Sequence, residues 1–420
     1  MKILFVAPYA PVPPTFGGAL RIYHLLKQAA TRHDVSLIAY GGEKEHQLLR
    51  EHFGNSLRQI FLLPYPWTDR FRRIGQLYAF CSNHSFFHHL IYSEQMQLLI
   101  EAVIEREQFD LIQAEFAVMG AFNFTTDAIK ILDAHNVEYD NFLRMSQRVG
   151  SLLRKIHYKR EYQKFFREEI SACRKYDALF VTSQRDKFIL HNDAPAVPKF
   201  VVPNGVDTEY FAPAVSVREE NTLVFTGMMG YVPNYDGMEY FLDAIFPHIV
   251  SQIPGTKIYI VGSKPPKHLI RRASGSIIVT DYVHDVRPFI DKAKVYVVPL
   301  RMGGGTRLKI LEAMSMKIPI VTTTIGCEGI DVQDNETAFV RDEPIDFANA
   351  VVTLLKDKQT SLRLVNNSYE KVRTTYDWSI IGEKADYYYN RLVSNKGRAT
   401  VGQEEPVMDP NSVIEFQHAG

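Results

Sequence analysis

The sequence is poor in cysteine, with only Cys81, Cys173 and Cys327 among its 420 residues. They lie far apart, form no Cys-x-x-Cys pair and are odd in number, which argues against a disulfide framework and a structural zinc site. A reducing, cytoplasmic environment is therefore expected. The chain also has no run of eighteen apolar residues, and its N-terminal apolar run is too short for a secretion signal. We therefore expect a protein that neither crosses a membrane nor is exported by that route.

Neither sign of charge is in excess. Lysine and arginine together number 48, aspartate and glutamate also number 48, and the formal net charge is zero. Proteins that bind nucleic acid derive affinity from neutralising backbone phosphates, so this balance argues against a nucleic-acid partner. Small or neutral partners are favoured instead. At about 150 residues per domain, the length predicts two or three domains.

What the chain does contain is a regular alternation of short apolar strands and helical patterns. Residues 2–7 predict a buried strand, 19–30 a helix and 35–39 a second strand. This βαβ order continues and then restarts after residue 203, which predicts two successive Rossmann-like domains. The predicted fold class is therefore α/β, with two doubly wound parallel sheets whose strand ends face a cleft. The other predicted strands span residues 59–63, 110–114, 129–133, 178–182, 200–202, 222–227, 257–261, 276–279 and 295–299.

The predicted domain boundaries follow from where this pattern restarts and where it ends. Residues 1–199 would form an N-terminal Rossmann-like domain, and residues 200–377 a C-terminal one. A helix at 378–393 is a candidate to pack back on the first domain. Residues 394–420 have a mixed polar composition with proline and glycine, which predicts a disordered tail.

A glycine loop stands between a predicted strand at 294–300 and a short helix that should begin near Thr306. Its residues are Gly303, Gly304, Gly305 and Thr306, followed by Arg307 and Lys309. Free backbone N–H groups and the positive end of the helix dipole would face this loop, a combination that binds anions. Two cations in the first helical turn, where the dipole disfavours them, also indicate a phosphate or diphosphate ligand. The alternative is a loop that only connects strand and helix, and the spacing fits neither a P-loop nor a dinucleotide-binding turn.

Two further candidates lie in the first half of the chain. Gly17 and Gly18 precede the first helix, where backbone amides would meet an anionic or hydroxylated ligand, and a role in the turn alone is the alternative. His135 follows the predicted strand 129–133, at the end of a parallel sheet where ligands usually bind. It would hydrogen-bond a substrate hydroxyl or orient a reacting group, and a capping or packing role is the alternative.

Two stretches depart from the α/β pattern. Residues 70–92 are aromatic and weakly basic, and residues 144–175 form a long helix-like segment rich in lysine and arginine. Together they would suit the surface of an anionic membrane or a lipid-linked acceptor. Because Glu161, Glu168 and Glu169 interleave with the basic residues, a solvated charged helix is the alternative.

Six motifs occur along the chain in a characteristic order. They are Phe16-Gly17-Gly18, residues 135–138, residues 203–207, Phe225-Thr226-Gly227, residues 281–287 and residues 303–330. Together they resemble the family-four retaining glycosyltransferases with the GT-B fold, in the branch that carries a Gly-Gly-Gly-Thr-Arg loop. The likeness covers most of residues 1–393, and it rests on the order and spacing of the motifs rather than on any one of them.

The resemblance implies a retaining transfer of a sugar from a nucleotide-diphosphate sugar to an acceptor hydroxyl, in glycoconjugate or exopolysaccharide synthesis. The second domain would hold the donor, and the acceptor would be a sugar, a lipid-linked sugar or a polysaccharide. Such work would take place in the cytoplasm at the inner face of the membrane, with peripheral membrane contact. Glu312 matches the family's second glutamate, which holds the ribose hydroxyls. Gly304 stands where the first glutamate is expected, so the usual carboxylate contact to the donor sugar is missing.

The implied site residues fall into two groups. Catalytic roles go to His135, at the donor sugar, and to Arg307 and Lys309. These two cations replace the arginine and lysine that the family usually carries after its Phe-x-Gly strand. Because a leaving nucleoside diphosphate gains negative charge, cations placed beside it lower the barrier. Donor-binding roles go to Gly17, Gly18, Asn204, Gly227, Asn234, Gly303, Gly304, Gly305, Thr306 and Glu312.

The sequence offers no evident pair of carboxylates for a double displacement. Departure and attack on the same face of the sugar are therefore expected, as the resemblance implies. No cofactor is expected, and no Asp-x-Asp or histidine cluster suggests a metal that bridges a diphosphate. Two other interpretations stay open. One is a GT-B protein with epimerase-like chemistry on a sugar nucleotide, and the other is a non-catalytic sugar-nucleotide-binding protein, suggested by Gly304.

Overall fold

The structure, a computed structural model, describes residues 1–66, 79, 82–148, 152–214 and 218–396. These residues divide into two compact units. Unit 1 contains residues 1–203 and, of the C-terminal part that the structure describes, 381–396. Unit 2 contains residues 204–380. The divisions fall four and three residues after the predicted domain boundaries at 199/200 and 377/378.

Unit 1 is built on a seven-stranded sheet whose neighbouring strands all run parallel. Its strands are β1 Lys2–Ala7, β2 Asp34–Tyr40, β3 Leu57–Leu63, β4 Leu111–Glu115, β5 Ile129–Ala134, β6 Ala178–Val181 and β7 Lys199–Val201. The spatial order is β3-β2-β1-β4-β5-β6-β7. All of β1 after Lys2 is buried, because helices cover both faces of such a sheet and favour uninterrupted apolar strands.

Three of the described helices of unit 1 begin after a serine that caps the helix. Ser85, Ser93 and Ser183 each accept a hydrogen bond from a backbone N–H three residues later, which completes the first turns of the third, fourth and seventh helices. The helices are α1 Gly17–Ala30, α2 Glu43–Phe53, α3 Phe86–Ile91, α4 Glu94–Arg106, α5 Glu138–Arg148, α6 Leu152–Cys173 and α7 Gln184–Asp193.

Unit 2 repeats the plan with a six-stranded parallel sheet. Its strands are β8 Thr222–Thr226, β9 Lys257–Val261, β10 Ile277–Val279, β11 Val295–Val298, β12 Ile320–Thr322 and β13 Phe339–Val340, in the spatial order β10-β9-β8-β11-β12-β13. Its helices are α8 Val232–Tyr240, α9 Phe246–Gln252, α10 Lys267–Ile270, α11 Arg287–Lys292, α12 Leu308–Ser315, α13 Pro344–Lys356 and α14 Lys358–Lys371. π-helical turns follow α8 and α14.

The last described helix, α15 Trp378–Ser394, belongs to unit 1 from residue 381 onward. There the Tyr389 ring stacks on Phe180 with centroids 5.6 Å apart, and its hydroxyl donates to the Gln113 side chain. Most of the predicted tail, residues 397–420, lies outside the described residues. Among the described residues, no helix is long and apolar enough to cross a membrane.

The predicted fold class, two α/β units with parallel sheets, is confirmed. The single helix-like segment predicted over 144–175 is wrong, because α5 and α6 are separate helices that pack against each other. The sequence places Gly150 between them, and glycine disfavours a helix interior. Residues 149–151 themselves lie outside the described residues.

Two other predicted segments differ from the structure in their extent or are only partly described by it. The helix after the glycine loop begins at Leu308 rather than near Thr306, because Arg307 has a non-helical ψ of 77°. Of the aromatic stretch 70–92, residues 70–78 and 80–81 lie outside the described residues, and its last part forms α3.

Candidate active site

In unit 2, the first turn of α12 brings Lys309 against the end of β8. The Lys309 Nζ donates to Oδ1 of Asn234 at 2.9 Å and lies 3.9 Å from the centroid of the Phe225 ring. A Cβ atom on Gly227 would come within 2.7 Å of that Nζ and 2.9 Å of the Asn234 Nδ2. Glycine at 227, where φ is +154°, therefore leaves room for the ammonium group.

Glu312 follows Lys309 by three residues and shares its face of α12. It is half-buried. Its carboxylate has no hydrogen-bond partner within the described part of the chain. Burial raises the pKa of Glu312 to about 7, against the opposing effect of the Lys309 charge. Burial, helped by nearby Arg307, lowers the pKa of the Lys309 ammonium group to about 7. Both groups therefore lie near the balance between charged and neutral forms, where a charged ligand shifts them readily.

Arg307 lies at the end of the glycine loop and is only 6% exposed. Its Nη1 donates to the carbonyl of Gly304, and its Nε donates to the carbonyl of Ile325 at 3.3 Å. Its Nη2 is 4.0 Å from a carboxylate oxygen of Glu328. In this structure the guanidinium therefore binds carbonyls of the loop and of the 3-10 turn after β12, which holds the loop in shape.

The loop itself needs glycine at two positions. Gly303 and Gly305 have φ values of +120° and +75°, which side-chain-bearing residues rarely adopt. The hydroxyl of Thr306 is buried and has no hydrogen-bond partner among the described residues. A buried hydroxyl without a partner is costly unless a ligand or water completes it.

In unit 1, His135 belongs to a buried polar cluster at the ends of β4 and β5. Its Nε2 is 2.8 Å from Oε2 of Glu115 and 3.7 Å from Oδ2 of Asp133. Arg21 donates to both oxygens of Asp133, at 2.8 and 2.7 Å, and its Nη1 donates to the carbonyl of Pro203 at 3.0 Å. All four side chains of this cluster, Arg21, Glu115, Asp133 and His135, are at most 4% exposed.

Burial dominates the protonation of this cluster. It raises the pKa of Glu115 to about 7 and raises the pKa of Asp133, although the Arg21 charge opposes both shifts. It lowers the pKa of His135 to about 3, against the effect of the Asp133 charge. His135 is therefore neutral near pH 7. Ligand atoms of Glu115, Asp133 and His135 lie within 4.8 Å of one another, but Arg21 already occupies both oxygens of Asp133.

The paired glycines of unit 1 lie at the start of α1, where Gly18 is close to two aromatic side chains. A Cβ atom on Gly18 would come within 2.4 Å of the Tyr9 hydroxyl and 2.6 Å of the Phe116 ring. The Phe116 ring in turn stacks on His135 with centroids 3.7 Å apart. Close aromatic packing is therefore sufficient to require glycine at 18, while Gly17 is the first residue of α1.

The structure brings together only some of the predicted site residues. Gly227, Asn234 and Lys309 lie close together. The loop residues and Arg307 precede Lys309 in sequence, and Glu312 follows it on α12. Asn204 is the first residue of unit 2, next to Gly205, whose missing Cβ would lie 2.8 Å from the carbonyl of Tyr376. The predicted residues in unit 1 are Gly17, Gly18 and His135.

Sequence reasoning did not find Arg21, Glu115 and Asp133. The signal was present for the two carboxylates, because Glu115 is the last residue of β4 and pairs with Asp133, the next-to-last residue of β5. Charged residues at the ends of otherwise apolar strands are candidates for a site. Nothing in the sequence linked Arg21 to Asp133, which is 112 residues away.

Two parallel-sheet α/β units, one with a glycine loop, a cation and a carboxylate at its strand ends, define a protein of the GT-B class. Residues 17–210 match the family described as Glycosyltransferase Family 4, and residues 220–357 match the family described as Glycosyl transferases group 1. The chain therefore belongs to the group 1, family-four glycosyltransferases. This confirms the family suggested by the sequence motifs.

Individual relatives are distant. An uncharacterized protein of the cps region of Klebsiella pneumoniae is 22% identical over 391 residues, which cover 90% of this chain and 96% of that protein. A UDP-Gal:alpha-D-GlcNAc-diphosphoundecaprenol alpha-1,3-galactosyltransferase of Escherichia coli is 26% identical over 250 residues, 54% of this chain and 64% of that enzyme. The crystal structure of Anabaena HepE with UDP superposes with a TM-score of 0.67 at 15% identity, over 93% of this chain and all of that one, which shows a shared fold.

Proposed function

We propose that the protein transfers a sugar from a nucleotide-diphosphate sugar to an acceptor hydroxyl, with retention of configuration. Unit 2 holds the donor, with the nucleotide along α12 and the diphosphate at the glycine loop. Glu312 accepts hydrogen bonds from the ribose hydroxyls, and Lys309 faces the diphosphate. The same-face course of the reaction follows from the family resemblance.

The observation that carries this proposal is that polar groups on α12 and the glycine loop lack hydrogen-bond partners among the described residues. The Glu312 carboxylate and the Thr306 hydroxyl have no hydrogen-bond partners within the described residues. Lys309 has one amide partner and a lowered pKa. The ribose hydroxyls of a nucleoside diphosphate can donate hydrogen bonds to the Glu312 carboxylate, and its phosphate oxygens can accept one from the Thr306 hydroxyl. The negative charge of the diphosphate raises the pKa of Lys309 and so favours its protonated form.

Catalysis in this arrangement comes from stabilising the leaving group. Negative charge on the diphosphate grows as the bond to the sugar breaks, and an ammonium group in a half-buried site interacts with that charge more strongly than in water. Arg307 contributes by holding the loop through the carbonyls of Gly304 and Ile325. A direct contact between Arg307 and a phosphate would require its guanidinium to leave one of these carbonyls.

Other parts of the proposal rest on the sequence motifs. His135 contacts the donor sugar, Asn204, Gly17 and Gly18 contribute to donor binding, and no metal or cofactor takes part. HepE is described with UDP and the E. coli relative uses a diphosphoundecaprenol-linked acceptor, which supports a uridine nucleotide and a lipid-linked acceptor here. The setting is glycoconjugate or exopolysaccharide synthesis in the cytoplasm, at the inner face of the membrane. Gly304, at the usual place of a glutamate, favours a non-catalytic sugar-nucleotide-binding protein as the second candidate.

The nucleotide is identified by thermal shift with UDP, GDP, dTDP and ADP. A ligand at one hundred times its dissociation constant should stabilise the protein by about 2.7 kcal/mol. We expect UDP to give the largest shift. Release of the nucleoside diphosphate from a donor panel, measured with and without a lipid-linked acceptor, then separates transfer from binding alone.

Variants of Lys309 test the site itself. Lys309→Ala should lower turnover by about 100-fold, in the range for loss of one group that stabilises a developing charge, and should weaken binding of the nucleoside diphosphate less. Lys358→Ala, which removes an exposed lysine elsewhere in unit 2, is the control. Normal turnover of Lys309→Ala would place the diphosphate elsewhere, and binding without any turnover or hydrolysis by the wild type would favour the second candidate.

A further inference from the structure

The outer end of the α5–α6 hairpin exposes large apolar side chains. Leu152 and Leu153 are 71% and 80% exposed, and Ile156 and Met145 are 46% and 44% exposed. Every residue of α6 from 152 to 160 is exposed, except for a half-buried tyrosine at 158. At about 1.5 Å per residue, this exposed part of α6 is about 13 Å long.

These apolar residues lie at the same end of the hairpin. The two helices run antiparallel, because the backbone N–H of Tyr139 donates to Glu169 while Phe142, farther along α5, stacks on Phe165 at 4.7 Å. Met145 lies farther still along α5, toward the start of α6. We call residues 144–147 and 152–160 the hairpin tip.

The charge of the hairpin tip has one sign. The sequence from 144 to 160 contains no aspartate or glutamate, although the whole chain has equal numbers of acidic and basic residues. Arg154, Lys155 and Lys159 form no ion pair with a described residue. Arg154 and Lys155 also lie in the first turn of α6, which has no acidic residue, and the helix dipole disfavours cations there. An anionic surface would relieve both the mutual repulsion and the conflict with the dipole.

We propose that the hairpin tip docks on an anionic lipid bilayer. Leu152, Leu153 and Ile156 enter the boundary between headgroups and acyl chains, and the neighbouring lysines and arginines contact the headgroups, as in other helices that lie in a membrane interface. A protein partner would need an apolar socket with an acidic rim shaped to the tip, whereas an anionic bilayer supplies both without shape complementarity.

This docking deepens the proposed function by naming the membrane surface at which the enzyme would meet a lipid-linked acceptor. It is measured without turnover, so its failure and the failure of sugar transfer are separate results. Full-length protein is mixed with vesicles of phosphatidylcholine alone or of phosphatidylcholine with phosphatidylglycerol, and the bound fraction is determined by cosedimentation. The wild type should bind the vesicles that contain phosphatidylglycerol, and added salt should weaken that binding.

One pair of variants tests the apolar contribution. Leu152→Ser combined with Leu153→Ser should lower the affinity for phosphatidylglycerol vesicles by about tenfold or more, because two exposed leucines lose their transfer to an apolar phase. Leu98→Ser combined with Leu362→Ser changes leucines that are 64% and 50% exposed elsewhere on the chain, and it should bind as the wild type does.

A second pair tests the charge. Arg154→Gln combined with Lys159→Gln should also lower the affinity by about tenfold or more, since each basic residue near an anionic surface contributes separately. Lys44→Gln combined with Lys358→Gln removes two exposed charges from other surfaces and should have little effect. All four variants are first matched to the wild type in melting temperature.

Three outcomes of the vesicle assay would overturn the proposal. The first is no binding of the wild type to phosphatidylglycerol vesicles, and the second is equal binding to vesicles with and without that lipid. The third is tip variants that bind as well as their controls. Sedimentation velocity without lipid adds a further check: if the wild type self-associates and the leucine tip variant does not, the tip is an interface between copies of this chain instead.

Discussion

The polar cluster of unit 1 and the glycine loop of unit 2 both lie at the ends of parallel strands, but their polar groups differ in how far they are paired. In unit 1, Asp133 receives two hydrogen bonds from Arg21, and Glu115 contacts both His135 and the Gln113 amide. In unit 2, Glu312 has no such partner among the described residues. A polar cluster that satisfies itself fixes the shape of a sheet edge, whereas one left incomplete is suited to receive a ligand.

The largest effect on stability should come from removing one member of the polar cluster of unit 1. Asp133→Ala leaves the Arg21 guanidinium buried without its carboxylate, and we expect a loss of about 3 to 5 kcal/mol in the free energy of unfolding, measured by chemical denaturation. Asp127→Ala, at an exposed position of unit 1, is the control. Arg21→Met combined with Asp133→Leu should recover most of the loss. A drop below about 1 kcal/mol for Asp133→Ala would mean that this pair does not stabilise unit 1.

The opposite result is expected in unit 2. Glu312→Ala should weaken binding of the nucleoside diphosphate by about 1.5 to 3 kcal/mol, the range for a hydrogen bond to a charged group, with little change in melting temperature. Isothermal titration calorimetry measures the affinity, and Glu370→Ala, at an exposed position of α14, is the control. Unchanged affinity would remove the ribose-binding role of Glu312.

Substitution of His135 tests whether the polar cluster of unit 1 also takes part in the reaction. His135→Ala removes the partner of Glu115, so we expect a loss of about 1 to 3 kcal/mol in stability. If the histidine contacts the donor sugar in the transition state, kcat should also fall while affinity for the nucleoside diphosphate stays normal. Both are measured at a temperature where the variant is fully folded. A normal kcat would support the alternative that the sequence left open, in which His135 has only a packing role.

The smallest effect should be a dependence of nucleoside-diphosphate affinity on pH, which we expect from Lys309 in unit 2 and not from the polar cluster of unit 1. Because burial lowers the pKa of free Lys309 to about 7, and a bound diphosphate would raise it, binding takes up a proton above that pH. Affinity for the nucleoside diphosphate should therefore fall by up to about tenfold, or 1.4 kcal/mol, between pH 7.5 and 8.5. Titrations over this range should be flat for Lys309→Ala. An equal slope in that variant would assign the proton to another group.

Much of the architecture was predictable because buried parallel strands are uninterrupted apolar runs. Residues 2–7 and 257–261 were bounded correctly on this basis. The two-residue strand β13 leaves no such run, and the break between α5 and α6 was missed because the flanking residues continue a charged helical pattern.

The sites were harder to predict than the strands. An anion-binding role for the loop could be predicted locally, since its glycines, Arg307 and Lys309 lie close together in sequence, and that role stays a prediction. Whether Lys309 contacts a phosphate stays a prediction, and its contact with Asn234, 75 residues away, depends on how β8 and α12 are packed. The burial of Glu312 and His135 could not be predicted from the sequence either, and burial is the main cause of the shifts in their pKa values.

The position of α15 has a consequence for how this protein can be cut or recombined. Unit 1 is discontinuous along the chain, since residues 381–396 return to it and Tyr389 contacts both Phe180 and Gln113. A fragment ending at residue 203 would lack these contacts and expose apolar surface to water, so we expect it to aggregate. Unit 2 is instead a continuous insert, from 204 to 380. A gene exchange that replaces unit 2 can therefore be made as a single cassette, provided that the sequence encoding the returning helix is kept with its original unit 1.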